Sequence, residues 1–200
     1  MATVTPYFET VKSFADVPVT SDGVETASFL DASDGFVNMF DLLGIGVFSF
    51  VQVDLRANIG GVRSRYTSHQ QVSSTLETLV TSEAQEGTRQ STACLVRLIR
   101  GLLFTCRALE NMQTDHTSEL RTCFRRSYDD VLRHHHGWLI QSAVILAITA
   151  VPSRPEFYRR ISQGASYEKL DTELAKWLEG LNQIVVHMKR FLDEGGYGTV

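Results

Sequence analysis

The stretch Thr92–Leu109 constrains this chain most. Leu95, Leu98, Ile99, Leu102, Cys106 and Leu109 recur at i, i+3 and i+4 spacing, which lays them on one face of a helix with a broad apolar stripe. Arg97 and Arg100 stand one turn apart beside that stripe. Arginines so placed either snorkel to water or hold an anion at the mouth of an apolar space.

The same spacing recurs along the chain. Phe8, Val11 and Phe14 predict a short amphipathic helix near the start. Ser21 or Asp22 caps the next helix, which runs to about Leu43, and Asp34-Gly35 is expected to break or kink it. Gly44–Val51 reads as a loop running into a helix from about Val51 to Tyr66. Ser73–Thr81 is a short helix, Ser82–Gln90 a polar loop or helix start and Asn111–Ser118 a polar connection. Leu120–His135 is amphipathic, with Cys123, Phe124, Ser127, Val131 and Leu132 inward. The run Trp138–Val151 is too short and too interrupted to span a bilayer, and its all-round apolarity predicts a buried central helix. Pro152 and Pro155 end it. Tyr167–Leu192 is a long amphipathic helix, followed by a glycine-rich tail, mobile or docked. The expectation is an all-α single domain over 1–200, a two-layer sandwich of roughly eight helices.

Charge and cysteine content narrow the function. A net charge of -4 argues against a nucleic-acid partner. The three cysteines, Cys94, Cys106 and Cys123, each fall in a helical pattern, so buried free thiols in a reducing compartment are expected. No secretory signal or lipidation motif is evident, and a cytoplasmic monomer that visits membranes transiently is expected. There is no phosphate-cradling glycine loop, zinc spacing or serine elbow. His134, His135 and His136 are consecutive and point in different directions, so two solvated rings and one inward ring are expected rather than a metal site. No cofactor and no catalysis are expected.

Several elements in order carry a resemblance. They are Phe40-Asp41-Leu42-Leu43-Gly44, Val47-Phe48, Asp54-Leu55-Arg56-Ala57-Asn58-Ile59, Leu98-Ile99-Arg100-Gly101-Leu102-Leu103-Phe104, Tyr128, His136-Gly137-Trp138 and Pro152–Phe157. Over about residues 25–190 the chain resembles the glycolipid transfer protein family. The resemblance implies a helical sandwich that opens to take lipid chains, with no covalent chemistry. It implies that Asp54 bonds a ceramide amide and headgroup, Asn58 the headgroup and His136 the acyl carbonyl, while Trp138 touches the membrane. An apolar tunnel would be lined by Phe40, Val47, Phe48, Val51, Leu132, Val144 and Phe157, with Phe36, Leu43 and Ile148 contributing.

Two positions depart from the glycosyl-binding pattern. The sugar-stacking tryptophan expected three residues before the Arg-Gly-Leu arginine is Arg97. The lysine expected three residues after the asparagine is Gly61, for which Arg63 or Arg65 would have to substitute. The ceramide-1-phosphate branch has arginine at the Arg97 position, but a second arginine where Ala93 stands and a lysine where Asn58 stands. Arg97 and Arg100 favour an anionic sphingolipid, ceramide-1-phosphate first, with a neutral glycosphingolipid as the alternative. A helical interaction module or lipid sensor without net transfer is the competing class. A lipid-modifying enzyme lacks a nucleophile–base pair.

Overall fold

The computed structural model describes residues 5–44, 46 and 48–200. Within them lie eight α-helices: α1 (Thr26–Leu43), α2 (Ser49–Ser68), α3 (Leu76–Gln85), α4 (Gln90–Thr114), α5 (Leu120–Ser127), α6 (Trp138–Thr149), α7 (Arg154–Ser162) and α8 (Tyr167–Glu194). The expected helix α4 is the hub. It packs on α2, α3, α5 and α8, while α1 packs on α2 and α7, and α7 on α8. Its stripe residues Leu95, Leu98, Ile99, Leu102, Cys106 and Leu109 are all fully buried.

α4 begins earlier than its apolar stripe because its first turn is anchored from outside. Arg89 at the N-cap gives no side-chain cap. Instead Glu83 of α3, only 2% exposed, accepts from the Ser91 and Thr92 amides at 2.8 and 2.7 Å and from the Thr92 hydroxyl at 2.6 Å. A buried carboxylate so bonded satisfies donors that a helix start otherwise leaves orphaned. Burial opposes ionisation of Glu83, but the Thr92 and Ser91 bonds outweigh it and hold its pKa below the usual value.

Asp34-Gly35 does not break α1, which runs uninterrupted. Gly35 serves close approach instead: the Tyr7 hydroxyl donates to its carbonyl at 2.8 Å, and a Cβ there would lie 2.9 Å from Val11 Cβ. Neither Ser21 nor Asp22 caps α1; Glu25 does, accepting from the Ala27 and Ser28 amides. Residues 19–24 form a two-residue hairpin, Val19 opposite Val24 and Thr20 opposite Gly23. The N-terminal amphipathic segment is two 3-10 turns, Tyr7–Glu9 and Phe14–Asp16. Phe8 packs tilted and Phe14 edge-on against Trp177 of α8, at 5.1 and 5.2 Å between ring centroids.

The expected continuous helix over Leu120–His135 is α only to Ser127. It then widens to a π turn, Tyr128–Leu132, and tightens to a 3-10 turn, Arg133–His135. The larger departure is α6. It is helical as expected, but it is not a buried central helix. Only Ile148 is buried, while Trp138, Leu139, Ile140 and Leu146 are exposed. An apolar residue must leave water, but the sequence does not say whether the protein's own core or another apolar phase receives it.

Candidate functional site

Beneath α6 lies a cavity of about 370 Å³. Phe36, Met39, Phe40 and Leu43 of α1 line one side, with Phe48, Phe50, Val51 and Leu55 around the start of α2. Phe104 of α4, Leu132 of the π turn, Val144 and Ile148 of α6 and Phe157 of α7 line the rest. Every expected tunnel residue except one is among these. Val47 lies outside the described residues. The aromatic rings pack as a chain: Phe36 on Phe40 at 5.3 Å, Phe40 on Phe48 at 5.6 Å.

Asp54, Arg97, Arg100, His135 and His136 give the cavity its polar wall. α2 supplies Asp54 and, one turn later, Asn58. The Asn58 amide donates to the Asp54 carbonyl oxygen at 2.9 Å and to its carboxylate at 3.3 Å. Its own Oδ1 accepts from Arg97 Nη1 at 3.4 Å. Asn58 is 3% exposed and does not itself line the cavity; it positions Asp54 and Arg97 across the α2–α4 seam. Arg100 Nε donates to the Thr199 carbonyl at 2.8 Å, so the glycine-rich tail is docked. Tyr197 stacking on Phe191 at 5.3 Å fixes that tail to α8. Among the described residues neither Arg97 nor Arg100 forms an ion pair with a carboxylate. Burial and the neighbouring Arg97 charge push the Arg100 pKa down.

The π turn presents the histidines. Fully buried Tyr128 places its hydroxyl 3.3 Å from His136 Nδ1. When that hydroxyl donates, the His136 proton resides on Nε2, leaving a donor for a carbonyl. Burial lowers the His136 pKa; the Asp54 charge pulls the other way, and Arg100 and His134 add to the lowering. The imidazole is therefore neutral near pH 7. The expected split of two solvated rings and one inward ring is corrected: His134 is exposed, and both His135 and His136 face the cavity. A π turn has no sequence signature, so helical spacing could not reveal this.

Neither arginine put forward to replace the missing lysine does so. Arg63 pairs with Asp34 at 2.7 Å, and the buried Arg65 is held by both Glu86 carboxylate oxygens and by Ser82. A Cβ on Gly61 would sit 2.5 Å from Cys94 Sγ, so α2 and α4 meet too closely there for a side chain without movement. The cation of this seam comes from α4, as Arg97. Trp138, at the first turn of α6, is 79% exposed and stands outside the cavity.

The model of the glycolipid transfer protein family matches residues 24–163. The chain belongs to that family. A glycolipid transfer protein from Aureobasidium melanogenum is 35% identical over 187 residues, spanning 93% of this chain and 92% of that one. The human pleckstrin homology domain-containing family A member 8 is 32% identical over 157 residues; these cover 76% of this chain and 30% of that protein. Among solved structures, the fungal glycolipid transfer protein HET-C2 superposes with a TM-score of 0.88 at 36% identity, over 94% of this chain and 96% of that one. Mouse ceramide-1-phosphate transfer protein reaches 0.86 at 21% identity, over 96% and 98%, which shows a common fold. The architecture is thus the all-α glycolipid transfer sandwich, and the family is one of lipid carriers rather than enzymes. Among the described residues no helix is long and apolar enough to cross a membrane.

Proposed function

We propose that this protein carries one sphingolipid at a time between membranes and that its preferred cargo is anionic, ceramide-1-phosphate first. The ceramide chains occupy the cavity. Each buried CH₂ is worth about 0.8 kcal/mol, so a dozen methylenes supply roughly 10 kcal/mol toward leaving water. Asp54 accepts from the amide N–H and a headgroup hydroxyl, and His136 donates to the acyl carbonyl. Trp138 and its exposed neighbours enter the membrane surface while the mouth is open.

One observation carries the headgroup reading: Arg97 and Arg100 share the mouth of an apolar cavity without a carboxylate partner among the described residues. With Asp54 beside them and the imidazoles neutral, the mouth holds an excess of one positive charge. A planar guanidinium binds phosphate or sulfate bidentately, and an anion between the two relieves their repulsion. A second reading, a neutral glycosylceramide, draws on the bonded Asp54–Asn58 pair and on HET-C2, a glycolipid transfer protein at 36% identity.

Transfer of ceramide-1-phosphate, sulfatide and glucosylceramide between vesicles separates them. Wild-type protein is expected to move ceramide-1-phosphate fastest, and Arg97→Trp to reverse the order toward glucosylceramide. Ready transfer of glucosylceramide with none of ceramide-1-phosphate would show that the anionic assignment is wrong. Failure to move any of the three would leave the non-transferring sensor.

A further inference from the structure

His135 has no part in the scheme above, yet its ring faces the cavity and its Nε2 is buried without a hydrogen-bond partner. Buried polar atoms without partners are rare, and each lowers the stability of the ligand-free protein. Its surroundings are otherwise satisfied. Arg100 is bonded to the Thr199 carbonyl, Lys189 to Asp193 at 2.8 Å and to the Val200 carbonyl, and His136 to Tyr128. The His134 ring lies 4.0 Å from the His135 ring and braces it. The orphaned nitrogen belongs to a ring that lines the cationic end of the cavity, and a small turn of that ring would bring it to a headgroup oxygen drawn by Arg100.

We infer that His135 is a second ligand-binding imidazole, whose Nε2–H donates to an oxygen of the lipid headgroup. This rests on the carrier reading and extends it: His136 bonds the ceramide carbonyl, and His135 reads what is attached beyond it. Burial above all, then the Arg100 charge, the neighbouring His134 and His136 rings as they begin to protonate, and the Lys189 charge, push the His135 pKa down to about 4, so the ring is neutral at pH 7. A neutral ring with an available N–H suits a phosphate oxygen or a sugar hydroxyl; the lipids offered in the test tell these sources apart.

The test uses His135→Phe, which keeps the ring and removes the nitrogen, and His135→Gln, which restores an N–H donor. Phosphatidylcholine vesicles carry ceramide-1-phosphate, glucosylceramide or ceramide lacking any headgroup, and uptake by each protein is measured. For whichever headgroup-bearing lipid the wild type takes up, His135→Phe is expected to bind about tenfold or more weakly. Ceramide uptake stays at its wild-type level, His135→Gln recovers part of the loss, and the ligand-free Tm of His135→Phe rises. Unchanged headgroup-lipid binding by His135→Phe overturns the inference alone. So does an equal loss for ceramide, or a fall in Tm, since either marks a merely structural ring. A wild type that takes up none of the three overturns the carrier reading, and this inference with it.

Discussion

Replacing Trp138 with Ala is expected to separate membrane docking from folding. The indole is 79% exposed at the first turn of α6, and Leu139 beside it is 66% exposed. A tryptophan with that exposure shows roughly 200 Å² to water. If half of this area enters the membrane interface, at about 25 cal/mol per Å² its removal costs about 2.5 kcal/mol, roughly seventyfold in partitioning. The folded state loses almost nothing, because an exposed side chain away from special features contributes within about ±0.5 kcal/mol. Vesicle co-flotation with Trp138→Ala should therefore fall by more than an order of magnitude while thermal unfolding stays put. Intrinsic fluorescence gives a second view in a Trp177→Phe background, because core Trp177 lies 6.2 Å from the cavity-lining Phe36 and would also emit. Equal flotation of variant and wild type, or a Tm drop of several degrees, would refute docking through this helix.

Asp54→Val should abolish lipid uptake with no loss of Tm, since the side chain is exposed and forms no ion pair among the described residues; full transfer activity would remove Asp54 from the site. Gly180→Ala should destabilise the fold by roughly 3 kcal/mol, because the new Cβ would lie 2.3 Å from the Ala15 amide nitrogen. An unchanged urea midpoint would mean that the Phe14–Asp16 turn does not pack on α8. For pH, burial first and then the Arg100, His134, His136 and Lys189 charges take His135 from an ordinary 6.5 to about 4. Between those values the unfolded chain binds the extra proton, so stability should fall as pH drops through that window. His135→Phe should flatten the decline; an identical slope in the variant would contradict it.

Much of this was legible because helix periodicity is local. The stripe of α4 and the long face of α8 declare themselves at every turn, and the eight-helix count follows. What escaped was set by distant partners. Glu83 anchors α4 across a loop, which extends that helix beyond its apolar stripe. Asp34-Gly35 looks like a breaker, but Gly35 sits where the Val11 side chain comes close. α6 was misjudged because hydropathy measures dislike of water, not the identity of the shelter. At the site, Asp54, Arg100 and His136 line one cavity together with Arg97, whereas His135, which follows the π turn Tyr128–Leu132, lines it too without any signal in helical spacing.

The closeness of α2 and α4 at Gly61 makes the order of mutations matter. Introducing lysine at position 61 would push against Cys94, whose Sγ and Cβ lie 2.5 and 3.0 Å from the new Cβ. Exchanging Cys94 for glycine first would open the seam, after which lysine at 61 and tryptophan at 97 become accessible together. Taken in the other sequence, the first step strains the helix pair, while the loss of the Arg97–Asn58 bond is common to both orders. A side chain at position 61 is therefore admitted or refused by a cysteine that does not line the cavity, and substitution there is easier in one order than in the other.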